Sequence, residues 1–115
     1  MNTYLLVHRH PENYIGTADT AAAWGTWFHQ LGSLLVDLGN PVFERTPVGT
    51  CGTPLPLGGY TLVTANDLTE AAELATSCPI VDEGGGVEVG LLTPIPGEST
   101  LRASSEPTHR DLVSL

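Results

Sequence analysis

Three of the four histidines in this 115-residue chain occupy positions where an imidazole could move a proton near neutral pH. His8 and His10 form a His-x-His pair at the end of an apolar run, with Tyr4 four residues before His8. Strand alternation aims both rings at one face, where two imidazoles can share a metal ion. No third ligand has supporting spacing, although Glu44 or His29 could approach in a fold, so no metal is expected. His8 beside Tyr4 is instead a candidate proton-transfer residue, the plain alternative being a strand-end histidine bonded to backbone. His29 is a second candidate acid or base, and Asp37 follows it by eight positions. On one helix that spacing is ~12 Å, too far for a direct hydrogen bond, and a solvated pair on a helix flank fits the residues equally. Trp24, Trp27 and Phe28 could wall a pocket for an aromatic or polyketide-like ligand, or simply be core. Tyr4 and Tyr60, on predicted strands, are further candidate contacts, and Arg9 or Arg45 could meet a ligand carboxylate.

Other chemistry is excluded. The chain has 13 acidic residues against four arginines and no lysine, for a net charge of -9. Schiff-base and Ser-Lys mechanisms therefore have no nucleophile. A phosphate backbone or an anionic membrane surface would be repelled, so neither nucleic acid nor membrane is an expected partner. The glycines of GTCGTPLPLGG (49–59) lack the lysine and the following helix of a phosphate loop. Cys51 and Cys78 make no metal-binding spacing and are expected as reduced thiols. No basic and apolar leader is evident at Met1 to Val7, and no run approaches the ~20 apolar residues of a membrane span, so a cytoplasmic location is expected.

These side chains need elements to hold them. The stretch Asp19 to Pro41 places Trp24, Trp27, Phe28, Leu31, Leu34, Leu35 and Leu38 at spacings of three and four, which predicts one long amphipathic helix. Asp19 or Thr20 is its expected N-cap, and Gly39 its left-handed terminus before Asn40-Pro41. Asn2 to His8 reads as a central strand with Leu5 and Val7 on one face and Tyr4, Leu6 and His8 on the other. Val42 to Val48 is expected as an edge strand, since Pro47 interrupts it. Tyr60 to Thr64 is a third strand. Asp67 and Glu70 have capping-box spacing at the start of a second helix, with Leu68, Ala71, Ala72, Ala75 and Cys78 as its buried stripe and Pro79 as its stop. Val87 to Ile95 is a fourth strand. From residue 97 to 115 the polar, proline-containing sequence is expected to be a flexible or partner-bound tail, which leaves residues 1 to 96 as one domain. The order β-α-β-β-α-β predicts an α+β, ferredoxin-like fold with a four-stranded antiparallel sheet and both helices on one face. Strands apolar on both faces imply that a second copy covers the other side, as a homodimer through the sheet faces.

With those elements in place, the runs WFHQLGSLLVDLGNPV, GGYTLV, DLTEAAELATSCP and GGGVEV resemble the YCII-related family, including its DGPF-type branch. The matching residues are Gly58, Gly59 and Tyr60; Asp67, Leu68 and Ala71; Cys78 and Pro79; and Gly85 to Val89, within a span of about residues 3 to 95. The resemblance implies the dimeric α+β barrel fold. It also implies a catalytic histidine on the first helix paired with an aspartate, which falls on or beside His29 and on Asp37. Two departures stand out. The Asp-Gly-Pro-Phe hairpin is replaced by GTCGTPLPLGG, and the family histidine aligns with Phe28, one residue before His29. A single position turns a helical side chain by ~100°.

The resulting expectation is a small-molecule enzyme of isomerase, lyase or cyclase type. It would use His8 or His29 for proton transfer, without a cofactor, in a pocket between helices and sheet. The alternatives are a non-catalytic dimeric binding or accessory module, and an acidic protein that binds a partner through its tail.

Overall fold

A computed structural model describes residues 1–52 and 54–95 of the chain, so the expected tail lies outside the described residues. The first strand, β1 (Asn2–Arg9), runs up the middle of a four-stranded antiparallel sheet of order β2-β3-β1-β4. Its neighbours are β3 (Leu57–Ala65) and β4 (Gly86–Leu91), while β2 (Leu35–Asp37) is a short edge strand beyond β3. Alternation decides what each strand contributes. Tyr4, Leu6 and His8 of β1 and Thr61, Val63 and Ala65 of β3 are buried on one face. Leu5, Val7, Tyr60 and Leu62 point to the other and remain half-buried.

Helices α1 (Ala18–Leu31) and α2 (Leu68–Thr76) cover the buried face, followed by a single turn of helix, α3 (Pro79–Asp82). Trp27 of α1, together with Leu31, packs into one cluster with Tyr4, Leu6 and Val63 of the sheet and with Ala71, Ala75, Cys78 and Ile80. The Trp27 indole N–H donates to the Leu74 carbonyl at 3.1 Å, which satisfies the only polar atom that this large side chain brings into the core. The fold is thus α+β and ferredoxin-like.

The first helix differs from its expected form. It starts two residues earlier, because Thr17 and Thr20 cap each other: the Thr17 side chain accepts from the Thr20 N–H at 3.2 Å, and Thr20 Oγ1 accepts from the Thr17 N–H at 2.8 Å. It stops at Leu31, because Gly32 adopts φ +54° and breaks the hydrogen-bond ladder. A 3₁₀ turn (Gly32–Leu34) follows, and Leu35–Asp37 are then strand, not helix. Gly39 does take positive φ (+75°), but in the turn after β2, where its N–H donates to Asp37 Oδ1 at 2.8 Å. Val42 to Val48 forms no strand: Pro41 makes one isolated bridge to Gly59, and the chain then runs irregularly.

The second helix starts at its expected cap. Asp67 accepts from the Glu70 N–H at 2.8 Å, while Glu70 reaches one residue further back than a capping box requires, to the Asn66 N–H at 3.2 Å. Its buried stripe is Ala71, Ala75 and Cys78, with Leu74 packed beside it; Leu68 and Ala72 are exposed. Pro79 does not stop this helix, which has already ended, but opens α3, where its missing N–H costs nothing.

Candidate functional site

The end of β1, one side of α1 and the segment from Leu38 to Arg45 border a half-open cavity of about 800 Å³. Trp24 and Phe28 form its aromatic wall, with Thr17, Thr20 and Ala21 further up the helix. His8 and His10 reach it from the strand side, and Phe43, 85% exposed, stands at its rim. Glycines make the room. A side chain on Gly58 would run into the His10 ring, and one on Gly59 would meet the Asn40 carbonyl oxygen at 2.8 Å. The Gly-Gly pair is therefore what lets His10 and the Asn40–Pro41 turn lie against β3.

His8 is the buried ionisable group of this cavity, only 7% exposed. Its ring packs 4.9 Å from Trp24 and 6.0 Å from Trp27, centroid to centroid. Burial lowers its pKa from 6.5 to about 4, so the ring is neutral at physiological pH. Its tautomer follows from its partners. The Thr61 hydroxyl lies 3.1 Å from His8 Nε2 and donates to the Leu38 carbonyl, also at 3.1 Å. One hydroxyl proton cannot serve both, so Nε2 carries the hydrogen and Nδ1 holds a lone pair. No protein group among the described residues occupies that lone pair, and no polar side-chain atom among them is buried without a partner. His8 Nδ1 thus offers the cavity a neutral, oriented proton acceptor.

The rim is polar. Arg45, 3.4 Å from the Val42 carbonyl, brings a positive charge to a lining that also holds Glu12 and Asn40. Tyr14 donates to Glu83 Oε1 at 3.0 Å. Burial first and that bond second raise the Tyr14 pKa, which keeps the phenol a donor.

The sequence candidates separate clearly. His8, Trp24, Phe28 and Tyr60 line the cavity, although Tyr60 alternates with Thr61 and directs its side chain to the opposite face of the sheet. Tyr4 and Trp27 do not line it: at 2% and 1% exposure they are core beneath it. His29 is exposed on the last turn of α1, and Asp37 is exposed at the edge strand holding the Gly39 turn, so neither faces the cavity nor pairs with the other. Among the described residues no group of three or more His, Cys, Asp and Glu side chains is placed to hold a metal. Cys51 is exposed; Cys78 is buried, which pushes its thiol up to about 12.

Thr61, Tyr14 and residues 38–43 were not singled out as site residues in the sequence, whereas Arg45 was already a candidate ligand contact. Thr61 carried a readable signal, a hydroxyl among the inward positions Thr61, Val63 and Ala65 of a strand beside one bearing an inward histidine. The loop carried none, since its part in the cavity depends on where the short β2 releases it.

No protein-family model matches the chain, and no curated protein matches it. The solved structure of 5-chloro-2-hydroxyhydroquinone dehydrochlorinase (TftG) from Burkholderia phenoliruptrix AC1100, in complex with 2,5-dihydroxybenzoquinone, is similar in fold, with a TM-score of 0.60. The match covers 82% of this chain and 96% of that one at 15% sequence identity. The chain therefore shares the α+β fold of that enzyme.

Proposed function

We propose that this chain is a small-molecule enzyme of lyase or isomerase type that moves a proton on an aromatic or enolisable ring compound without a cofactor, with His8 as general base. The observation that carries the reading is the His8 ring itself: neutral, fixed through Nε2 by Thr61, and presenting Nδ1 to an aromatic-walled cavity. A flat ring seated against Trp24 and Phe28 would bring a hydroxyl or an acidic C–H to that nitrogen. Loss of the proton leaves an enolate or phenolate, and Arg45 supplies a positive charge on the same lining. The fold shared with a dehydrochlorinase acting on a hydroxylated ring supports this choice of substrate class. The Gly58-Gly59-Tyr60, Asp67-Leu68 and Cys78-Pro79 signatures support membership of the YCII-related family, with the proton-transfer role moved from the first helix to His8 on the first strand. We also propose that the chain works as a homodimer through the sheet face opposite the helices.

A non-catalytic binding module is the second reading, favoured by the His8 pKa of about 4, which makes the imidazole a weak base. One experiment separates them. Enolisable cyclic β-dicarbonyl probes are incubated in deuterated buffer with wild-type chain, His8→Gln and His29→Gln, and deuterium uptake is followed by NMR. The enzyme reading expects catalysed exchange that falls about 100-fold or more in His8→Gln and is unchanged in His29→Gln. Probe binding with exchange no faster than in buffer alone would establish the binding module instead.

A further inference from the structure

His10 has no part in that proton transfer, yet its ring borders the same cavity and is held firmly. Its Nδ1 lies 2.7 Å from the Pro11 carbonyl oxygen. A carbonyl only accepts, so Nδ1 bears the hydrogen, and Nε2 of the neutral ring keeps its lone pair. Stacking on Tyr14, with centroids 5.3 Å apart and planes at 29°, fixes the ring plane, and Tyr14 is itself tied to Glu83. Gly58 leaves space for the ring edge that carries Nε2. Among the described residues no protein group satisfies that nitrogen.

The two histidines are therefore locked in opposite tautomers by two independent contacts, Thr61 on one and Pro11 on the other. Each keeps an acceptor nitrogen, not a donor, without a protein partner among the described residues, and both rings line one aromatic-walled space. Both rings line the same cavity of about 800 Å³, which has room for a single six-membered ring with its substituents between them. We propose that His8 Nδ1 and His10 Nε2 together select a ring carrying two hydroxyl donors, one for each histidine. A ring with one hydroxyl leaves an acceptor unpaired, and a ring whose oxygens are methylated satisfies neither. The inference rests on the cavity being the ligand site proposed above, and it adds His10 as a specificity determinant.

Two measurements test it. Long-range ¹H–¹⁵N correlation of the histidine rings above neutral pH should show His8 protonated at Nε2 and His10 at Nδ1; a His10 ring protonated at Nε2 overturns the proposal. Quenching of tryptophan fluorescence is then titrated with phenol, catechol, resorcinol, hydroquinone and its dimethyl ether. At least one dihydroxybenzene should bind roughly fivefold or more tighter than phenol, the size of one ordinary hydrogen bond, and the ether should bind worst. His10→Asn keeps an amide N–H for Pro11 but has no group at the Nε2 position. It should bind phenol as wild type does and lose the preference, with the His8 ring signals unchanged as the check on folding. Binding of all the phenols without preference, or a preference retained in His10→Asn, sinks the two-acceptor inference alone. Failure of every ring to bind sinks it together with the ligand-site reading.

Discussion

Because burial holds His8 near pKa 4 against an ordinary 6.5, the folded chain refuses a proton that the unfolded chain accepts between those two values. The sign follows directly. The contribution is fully present above pH 6.5 and is lost as pH falls toward 4, with an upper bound of about 3.5 kcal/mol from ~1.4 kcal/mol per pKa unit. Urea melts across that range should show stability falling with pH in wild type and a visibly shallower fall in His8→Gln. Equal slopes would mean that His8 is not held neutral. Thr61 makes a second prediction at this scale. Thr61→Val keeps the shape but leaves the His8 Nε2–H and the Leu38 carbonyl without their shared partner, at a cost of about 1–3 kcal/mol. It should also release the His8 tautomer, so that the imidazole ¹⁵N spectrum becomes a mixture. A stable variant with an unchanged spectrum would remove Thr61 from the account.

Elements, rather than single residues, determine whether the cavity exists. The turn at Gly39 places Leu38 to Arg45 over the strand end, and it depends on a residue without a side chain: a Cβ there would collide with the Tyr60 carbonyl, at a φ of +75° that other residues avoid. Gly39→Ala should therefore destabilise the fold by about 2 kcal/mol or more and weaken ligand binding in parallel. Asp67→Ala, by contrast, removes only the α2 cap, away from the cavity lining, and should cost about 1 kcal/mol while the cavity survives. Denaturant melts paired with fluorescence titration distinguish the two patterns. The same segments explain what was legible in the sequence. Alternation in β1, the Asp67 cap and the buried positions Ala71 and Ala75 of α2 each answer to one local rule, and the structure follows them. Leu31, Leu34, Leu35 and Leu38 satisfy helical spacing just as well, so nothing in their pattern warned that Gly32 would end the helix and send Leu35 into a strand. Once that happened, Asp37 left the helix altogether. The His29–Asp37 pairing came from the family resemblance alone, since helical spacing already held the two ~12 Å apart, whereas His8 depended only on strand alternation.

At the scale of the whole molecule, two observations pull in opposite directions. The sheet face away from the helices carries Leu5 directly opposite Leu62, with Val7 opposite Tyr60, all half-buried at the centre of the sheet. Covering them with a second copy would remove apolar surface from water at ~25 cal/mol per Å², and a stable interface needs roughly 800 Å² from each partner. Yet each copy brings a net charge of -9, from four cations against 13 anions, so the two chains repel through solvent. If the apolar face drives pairing and charge opposes it, added salt must tighten the dimer, because screening removes the repulsion and leaves the apolar contact intact. Sedimentation equilibrium should show a dimer whose dissociation constant falls as sodium chloride rises from ~10 mM, where the Debye length is ~30 Å, to ~150 mM, where it is ~8 Å. Leu62→Glu should give a folded monomer at every salt concentration, since it adds charge to the centre of the face and leaves the buried side of β3 untouched. A dimer that weakens with salt would instead be held by ion pairs, and a wild-type monomer at all concentrations would mean that no second copy covers this face. The cavity lies on the helical side of the sheet, so the monomeric variant should still quench with the same ring compounds. That result would separate assembly from ligand binding in a single protein.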